Sequence, residues 1–243
     1  MVHGSKITTD TFFNGQVKVH QSVQGYRFSI DAVLLAAVPK PKPMETVMDI
    51  GTGCGIVPIL MAFRNPHIKL FGIELQDDLA KVARDNVCVN HMQDRITILN
   101  HDARCLSNDM IDGPVDWIVS NPPYRPASSG RLNPNNERAL ARHEIHLSLH
   151  DLVQTSRSFL RTGGFFTIIY PGTRLVDLFY EMRSAGIEPK WVRNIHSRQS
   201  QEAKLTLVQG KMGANPGLEI AKPLIIYGPD GNYSPAVRKM MAP

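Results

Sequence analysis

Two short segments carry residue types that do little for packing and much for chemistry. The first is Asp49-Ile50-Gly51-Thr52-Gly53-Cys54-Gly55, set between two apolar runs. Glycines let the backbone turn sharply and bring N–H groups close to a ligand with no Cβ in the way. The spacing is G-x-G-x-G, not the G-x-G-x-x-G of nicotinamide and flavin binders. A tight strand-to-helix turn would account for this loop alone, but two more acids follow. Glu74 ends the next apolar run, where a carboxylate can accept both hydroxyls of a ribose, and Asp102 follows the third in His101-Asp102-Ala103. Asp49, Glu74 and Asp102 then line one crevice at the ends of three successive strands. Their charge disfavours a pyrophosphate and suits a ligand carrying both a sulfonium and an ammonium, which points to S-adenosylmethionine over NAD. Asp49 would orient the turn and the ligand's amino group, Glu74 would hold the ribose, and Asp102 would accept from the adenine amino group. A turn residue with no ligand is the competing reading of Asp102.

The second segment, Ser120-Asn121-Pro122-Pro123-Tyr124, follows the fourth apolar run. A residue before proline is pushed to an extended conformation, and the two prolines fix φ and remove two donors. What remains is a stiff corner rich in acceptors, the Asn121 side-chain oxygen and the Pro122 carbonyl. Such a pair can hold both hydrogens of an amino group conjugated with a ring or carbonyl and draw its nitrogen toward tetrahedral geometry. The lone pair then faces an incoming methyl sulfonium. The proton becomes acidic only as the methyl arrives, so positioning and electrostatics replace a strong base. Tyr124 is placed to stack on a flat substrate.

These segments need elements to hold them. An Asn14-Gly15 pair between β-prone residues predicts a hairpin with a two-residue turn, and Ser29-Ile30-Asp31 opens a helix ending at Pro39. Strands are expected at 45–50, 67–75, 95–100, 115–120, 164–170, 187–196 and 203–212, with helices at 56–63, 77–90, 149–160 and 173–186. In the helix at 77–90, Leu79, Val82, Ala83 and Val87 share one face. Strands alternating with helices mean an α/β, doubly wound Rossmann-like sheet of seven strands, mostly parallel, with an antiparallel edge hairpin. Residues 1–44 form a hairpin-and-helix extension, and 45–243 the main domain.

The chain has 243 residues, 42% hydrophobic and 20% charged, enough for one full core. It shows no apolar run of membrane-spanning length, and its first fifteen residues lack the apolar centre of a secretory leader. Cys54, Cys88 and Cys105 are odd in number and too widely spaced for a metal knuckle, as expected of unpaired thiols in a reducing cytoplasm. The net charge of +5 permits a nucleic-acid partner without requiring one. Arg125, Arg131, Arg138 and Arg142 cluster beside the proline corner against Glu137 alone. A second basic stretch, Arg183 to Lys211, includes Arg193, Arg198 and Lys204. Both suit RNA phosphates, and both also suit a solvated basic face. His143, His146 and His150 can share a helix face, but methyl transfer needs no metal, and a surface or packing role is expected of them.

Together these residues resemble class I methyltransferases of the N6-adenine type. DIGTGCG is similar to their cofactor loop, Glu74 to their ribose-binding acid, Asp102 to their adenine-contacting acid and NPPY to their catalytic loop. The segment 26–35, the residues Ala141-Arg142-His143-Glu144 and the ending 202–208 with 223–227 resemble bacterial tRNA1(Val) adenine N6-methyltransferases, and the likeness covers nearly the whole chain. It implies cofactor contacts from Arg27, Phe28, Asp31, Asp49, Gly51, Thr52, Gly53, Gly55, Glu74, Leu75, Asp102, Ala103 and Asn121, with the N-terminal extension over the pocket. Arg27, Phe28 and Asp31 fit equally a surface helix capped by Ser29. Asn121, Pro122, Pro123 and Tyr124 would be catalytic. S-adenosylmethionine would leave as S-adenosylhomocysteine, tRNA would be the partner, and the enzyme would be a cytoplasmic monomer or weak homodimer without a metal. Amino groups in ribosomal RNA or DNA are alternative acceptors. So is a glutamine amide of a release factor, although the short N-terminal segment argues against that one.

Overall fold

The chain opens with β1 (Ile7–Phe12) and β2 (Val17–Ser22), an antiparallel pair. The computed structural model describes residues 7–22, 30–123 and 147–242. The expected two-residue turn is not what joins these strands. Phe12 pairs with Val17, so residues 13–16 form a four-residue loop in which Phe13, Asn14 and Gly15 all have positive φ. The reason is packing. Phe13 is drawn into the core, stacked 4.4 Å from Phe63 with the Arg64 guanidinium over its ring, and an Asn-Gly turn closed on Phe13 could not put it there.

Helix α1 (Ile30–Ala36) leads to β3 (Thr46–Ile50), α2 (Ile56–Arg64), β4 (Lys69–Glu74), α3 (Asp77–Val89) and β5 (Ile96–Asn100). After β6 (Val115–Ser120) come α4 (Leu149–Phe159), β7 (Leu160–Pro171), α5 (Leu175–Ser184), β8 (Ile187–His196) and β9 (Ala203–Met212). The sheet order is β8-β9-β7-β6-β3-β4-β5, parallel from β7 to β5, with β9 antiparallel to both its neighbours. These are the seven expected strands. Two strands of two residues each, β10 (Glu219–Ile220) and β11 (Leu224–Ile225), add to the outer side of β8. A last helix, α6 (Pro235–Met241), was not anticipated.

Successive side chains on a strand point to opposite faces, and the parallel strands are buried on both. Val47, Trp117 and Val119 enter one apolar cluster with α1, α2, α3, α6 and the hairpin. Met48 and Ile118 enter the other with α4 and α5. Helix α4 starts at a capping box in which Ser148 and Asp151 bond reciprocally. β7 begins at once after it, four residues before the expected start, because Leu160 pairs with Val115.

If Phe13 sets the hairpin loop, Phe13→Ala should lower unfolding free energy by about 3 kcal/mol. Urea denaturation would measure this, with loss of chemical-shift dispersion concentrated in residues 7–22.

Candidate active site

Chain order reverses across the sheet between β3 and β6, since β4 and β5 lie on one side and β7 on the other. Such a switch point opens a crevice at the carboxyl ends of the strands. Both sequence motifs end there. Ser120 Oγ donates to the Ile50 carbonyl at 2.8 Å, tying the last residue before the proline corner to the last residue before the glycine turn.

The turn itself needs its glycines. Gly51, Gly53 and Gly55 have φ of +76°, +58° and +80°. Gly51 and Thr52 donate their N–H groups to the Ile73 carbonyl at 2.9 and 3.0 Å, and Gly53 donates to Glu74 Oε2 at 2.8 Å. Glu74 Oε1 accepts from Gln76 N–H at 2.9 Å. Glu74 is 5% exposed, and each oxygen keeps a further lone pair for a hydroxyl. Beneath the turn Gly72 leaves no room for a larger residue, as a Cβ there would lie 2.7 Å from Ile98 Cδ1 and 2.9 Å from Thr52 Cγ2.

The crevice spans about 900 Å³ of empty space, the solvent at its open mouth included. Gly51, Gly53, Glu74, Leu75, Asp102, Ala103, Asn121, Pro122 and Pro123 line it. A smaller adjoining cavity is lined by Asp49, Gly51, Thr52, Gly53 and Asn121, with Ala32 from α1. Asn121 borders both. Here Asp49 Oδ2 and Thr52 Oγ1 are buried with no hydrogen-bond partner among the described residues. Burial pushes the Asp49 carboxyl up to about 7, with the Glu74 charge adding to the rise and Thr52 opposing it. A cationic group in the small cavity would satisfy this acid, and a polar hydroxylated group in the large one would meet Glu74.

Asp102 does what a turn residue does and lines the crevice as well. It caps the short turn Ala103–Cys105 by accepting from Arg104 N–H at 3.0 Å, and the Arg104 guanidinium grips both its oxygens. Gly55 lines neither cavity. Its lack of a Cβ instead admits Ala83 of α3, whose Cβ would lie 3.2 Å from one built there. Asp31 sits in the first turn of α1, next to the cavity-lining Ala32 and outside both linings. Arg27, Phe28, Tyr124, Arg125, Arg131, Arg138 and Arg142 lie outside the described residues, as do His143 and His146. His150 pairs with Glu181 at 2.9 Å, joining α4 to α5. Among the described residues no cluster of His, Cys, Asp or Glu could hold a metal, and no helix is long and apolar enough to cross a membrane. Their cysteines are all unpaired.

The sheet divides the second basic stretch. Lys190 and Lys211 fall at the edge away from the crevice, since β9 runs back along β7. There Lys190 donates to the Asn215 carbonyl and Lys211 lies over Phe165, while Arg183 pairs with Glu188. Arg198 and Lys204 are exposed at the β8–β9 connection, on the crevice edge. Arg193 donates to the Lys222 carbonyl at 3.0 Å and is half-buried. Seven residues lining the crevice escaped the sequence reading: Ile50, Ile73 and Ser120 read only as strand residues, and four more lie outside the strands. Leu79 had been assigned to a core-facing helix stripe, Gln76 and His101 carry no pattern of their own, and Leu147 precedes the Ser148 cap, which marks a helix start but not a cavity wall.

The model of the methyltransferase small domain family matches residues 29–174. A tRNA1(Val) (adenine(37)-N6)-methyltransferase of Porphyromonas gingivalis is 29% identical over 97% of this chain and 94% of its own length. The protein of the same name from Aeromonas hydrophila is 26% identical over 88% of this chain and 87% of its own. Among solved structures, one described as a predicted O-methyltransferase from Agrobacterium tumefaciens superposes with a TM-score of 0.69 at 19% identity, covering 86% of this chain and 94% of its own. TYW2 of P. horikoshii, in complex with MeSAdo, gives 0.59 at 18% identity, covering 88% of this chain and 74% of its own. At these identities the two structures speak for the fold.

The raised Asp49 carboxyl, about 7 against an ordinary 3.8, has a consequence for stability. The folded chain keeps this proton where the unfolded chain has lost it. Stability of the ligand-free protein should therefore fall as pH rises from about 4 to about 7 and level off above. Asp49→Asn should flatten that slope, as read from urea midpoints across the window. An unchanged slope would place the proton elsewhere.

Proposed function

Because the chain belongs to the methyltransferase small domain family, we propose that it methylates N6 of an adenine in tRNA, beside the anticodon of a valine tRNA, using S-adenosylmethionine. The observation that carries this is the position of Asn121 on the border of both cavities. The near full-length likeness to enzymes named for that reaction supports the choice of acceptor.

When bound, S-adenosylmethionine supplies an electrophilic methyl on its sulfonium. Asp49 Oδ2, without a donor among the described residues, would take the ammonium of its methionine end. Glu74 accepts from the ribose hydroxyls while its bonds to Gly53 and Gln76 hold the carboxylate still. Leu75 and Ala103 flank the adenine, and Asp102, oriented by Arg104, accepts from its amino group. From the N-terminal segment, helix α1 closes the small cavity through Ala32. On the acceptor side Asn121 Oδ1 and the Pro122 carbonyl hold the two N6 hydrogens, and Tyr124 stacks on the base. The lone pair is thereby exposed, and the proton leaves to solvent once the nitrogen becomes cationic. Exposed Arg198 and Lys204, on the same edge, meet phosphates of the RNA. Unpaired cysteines fit a reducing cytoplasm.

The deciding assay offers labelled methyl donor with unmodified tRNA, ribosomal RNA, DNA or release factors, followed by nucleoside and peptide analysis. Label should appear as N6-methyladenosine in tRNA, and label in glutamine or only in another nucleic acid overturns the acceptor. Asn121→Ala should cut kcat by at least about 100-fold while leaving donor affinity within about twofold. Replacing Arg198 and Lys204 together by alanine should weaken tRNA binding and lower its salt slope by roughly 1–2, as titrations at several ionic strengths would read.

A further inference from the structure

Helix α3 meets the outer edge of β2 in an unusual way. Strand β2 pairs with β1 on one side only, and the main-chain groups of Lys18 and His20 point away from β1 toward the helix. Two asparagines one helical turn apart receive them. Asn90 Oδ1 accepts from Lys18 N–H at 2.9 Å and Asn90 Nδ2 donates to the Lys18 carbonyl at 2.6 Å. Asn86 Oδ1 accepts from His20 N–H at 2.7 Å and Asn86 Nδ2 donates to the His20 carbonyl at 2.9 Å. A carboxamide offers the same donor and acceptor as a peptide. Residues four apart on a helix rise about 6 Å, close to the roughly 6.6 Å between alternate residues of a strand. The helix therefore stands in for a neighbouring strand.

The two asparagines differ in their remaining bond. Asn90 spends its on the Asn86 carbonyl of its own helix, whereas Asn86 Nδ2 donates to the carbonyl of Cys54, inside the glycine turn, at 2.9 Å. Both amide hydrogens of Asn86 are thus committed, one to the hairpin and one to the turn, and the residue is 0% exposed. The Cys54–Gly55 peptide is held at both ends, since Gly55 N–H donates to the Thr52 carbonyl at 3.0 Å. A buried amide of this kind cannot turn away from either partner without leaving a polar group unsatisfied.

We propose that Asn86 is a positioning residue that couples the N-terminal hairpin to the glycine turn, so that the donor-binding shape of the turn depends on the hairpin being docked. The proposal rests on the reading that this turn holds the methyl donor. Asn90, with matched bonds to the hairpin and none to the turn, is the internal control.

The test compares Asn86→Ala, Asn90→Ala and His20→Pro. The last deletes the N–H that anchors Asn86 Oδ1 and sets a ring carbon against that oxygen, so it forces the hairpin off Asn86 while leaving the asparagine in the sequence; it also removes the His20 side-chain bond to Thr9 of β1. It carries the test should Asn86→Ala fail to fold. In ligand-free protein, amide exchange at Gly55 should accelerate about tenfold in Asn86→Ala and His20→Pro, as for loss of one buried hydrogen bond. In Asn90→Ala the Lys18 amide should accelerate and Gly55 should not. By calorimetry, Kd for S-adenosylmethionine should rise about tenfold in Asn86→Ala and His20→Pro and stay unchanged in Asn90→Ala. With donor saturating, kcat and the KM for tRNA should hold in all three. Gly55 exchange unchanged in Asn86→Ala and His20→Pro overturns the coupling, as does an equal response to Asn90→Ala. Wild-type protein that binds no S-adenosylmethionine would instead sink the donor assignment, and the Gly55 exchange would still decide the coupling.

Discussion

The buried hydrogen bond from Gly53 N–H to Glu74 Oε2, beside the two that Gly51 and Thr52 give the Ile73 carbonyl, joins the turn after β3 to the end of β4. It makes one carboxylate serve two demands. As a structural group Glu74 fixes a loop whose three glycines would otherwise sample many conformations; as a site group it faces the crevice with its remaining lone pairs. Because a buried carboxylate is tolerated only with such donors, the turn and the acid stabilise one another, and the crevice between β3 and β6 keeps its width.

Burying Asp49 close by has the opposite character. Its Oδ2 finds no donor among the described residues, and desolvation favours the neutral acid. In the ligand-free chain that is a standing cost, and a cation in the small cavity relieves it. Local instability of this kind is what a binding site for a positively charged ligand requires. Folding energy withheld at Asp49 becomes selectivity for charge.

Much of this was legible before the structure. The parallel strands were readable because burial on both faces leaves near-continuous apolar runs, and the glycine turn, Glu74, Asp102 and the proline corner fell where strands end. What escaped has physical causes. The Asn14-Gly15 signal was overridden by Phe13, whose aromatic contact with Phe63 outweighs the local turn preference. Helix α6 is only seven residues long with one buried side chain, although its Ser234 cap and Pro235 at the first position were a readable start. The double role of Asp102 and the packing role of Gly55 depend on Arg104 and Ala83, partners that spacing alone does not reveal. Asn86 gave no sign because side-chain amides facing a strand edge have no sequence pattern.

The order of the last strands bears on how the chain is made. A ribosome delivers β7, then β8, then β9, but the sheet accepts them as β7, β9, β8. Until β9 emerges, the long buried strand β7 has a bare edge and β8 has nothing to join to it. Synthesis therefore passes through a stage in which an apolar edge, complete on one side, waits for its partner. A nascent chain stalled in that interval keeps this edge open to pairing with another chain.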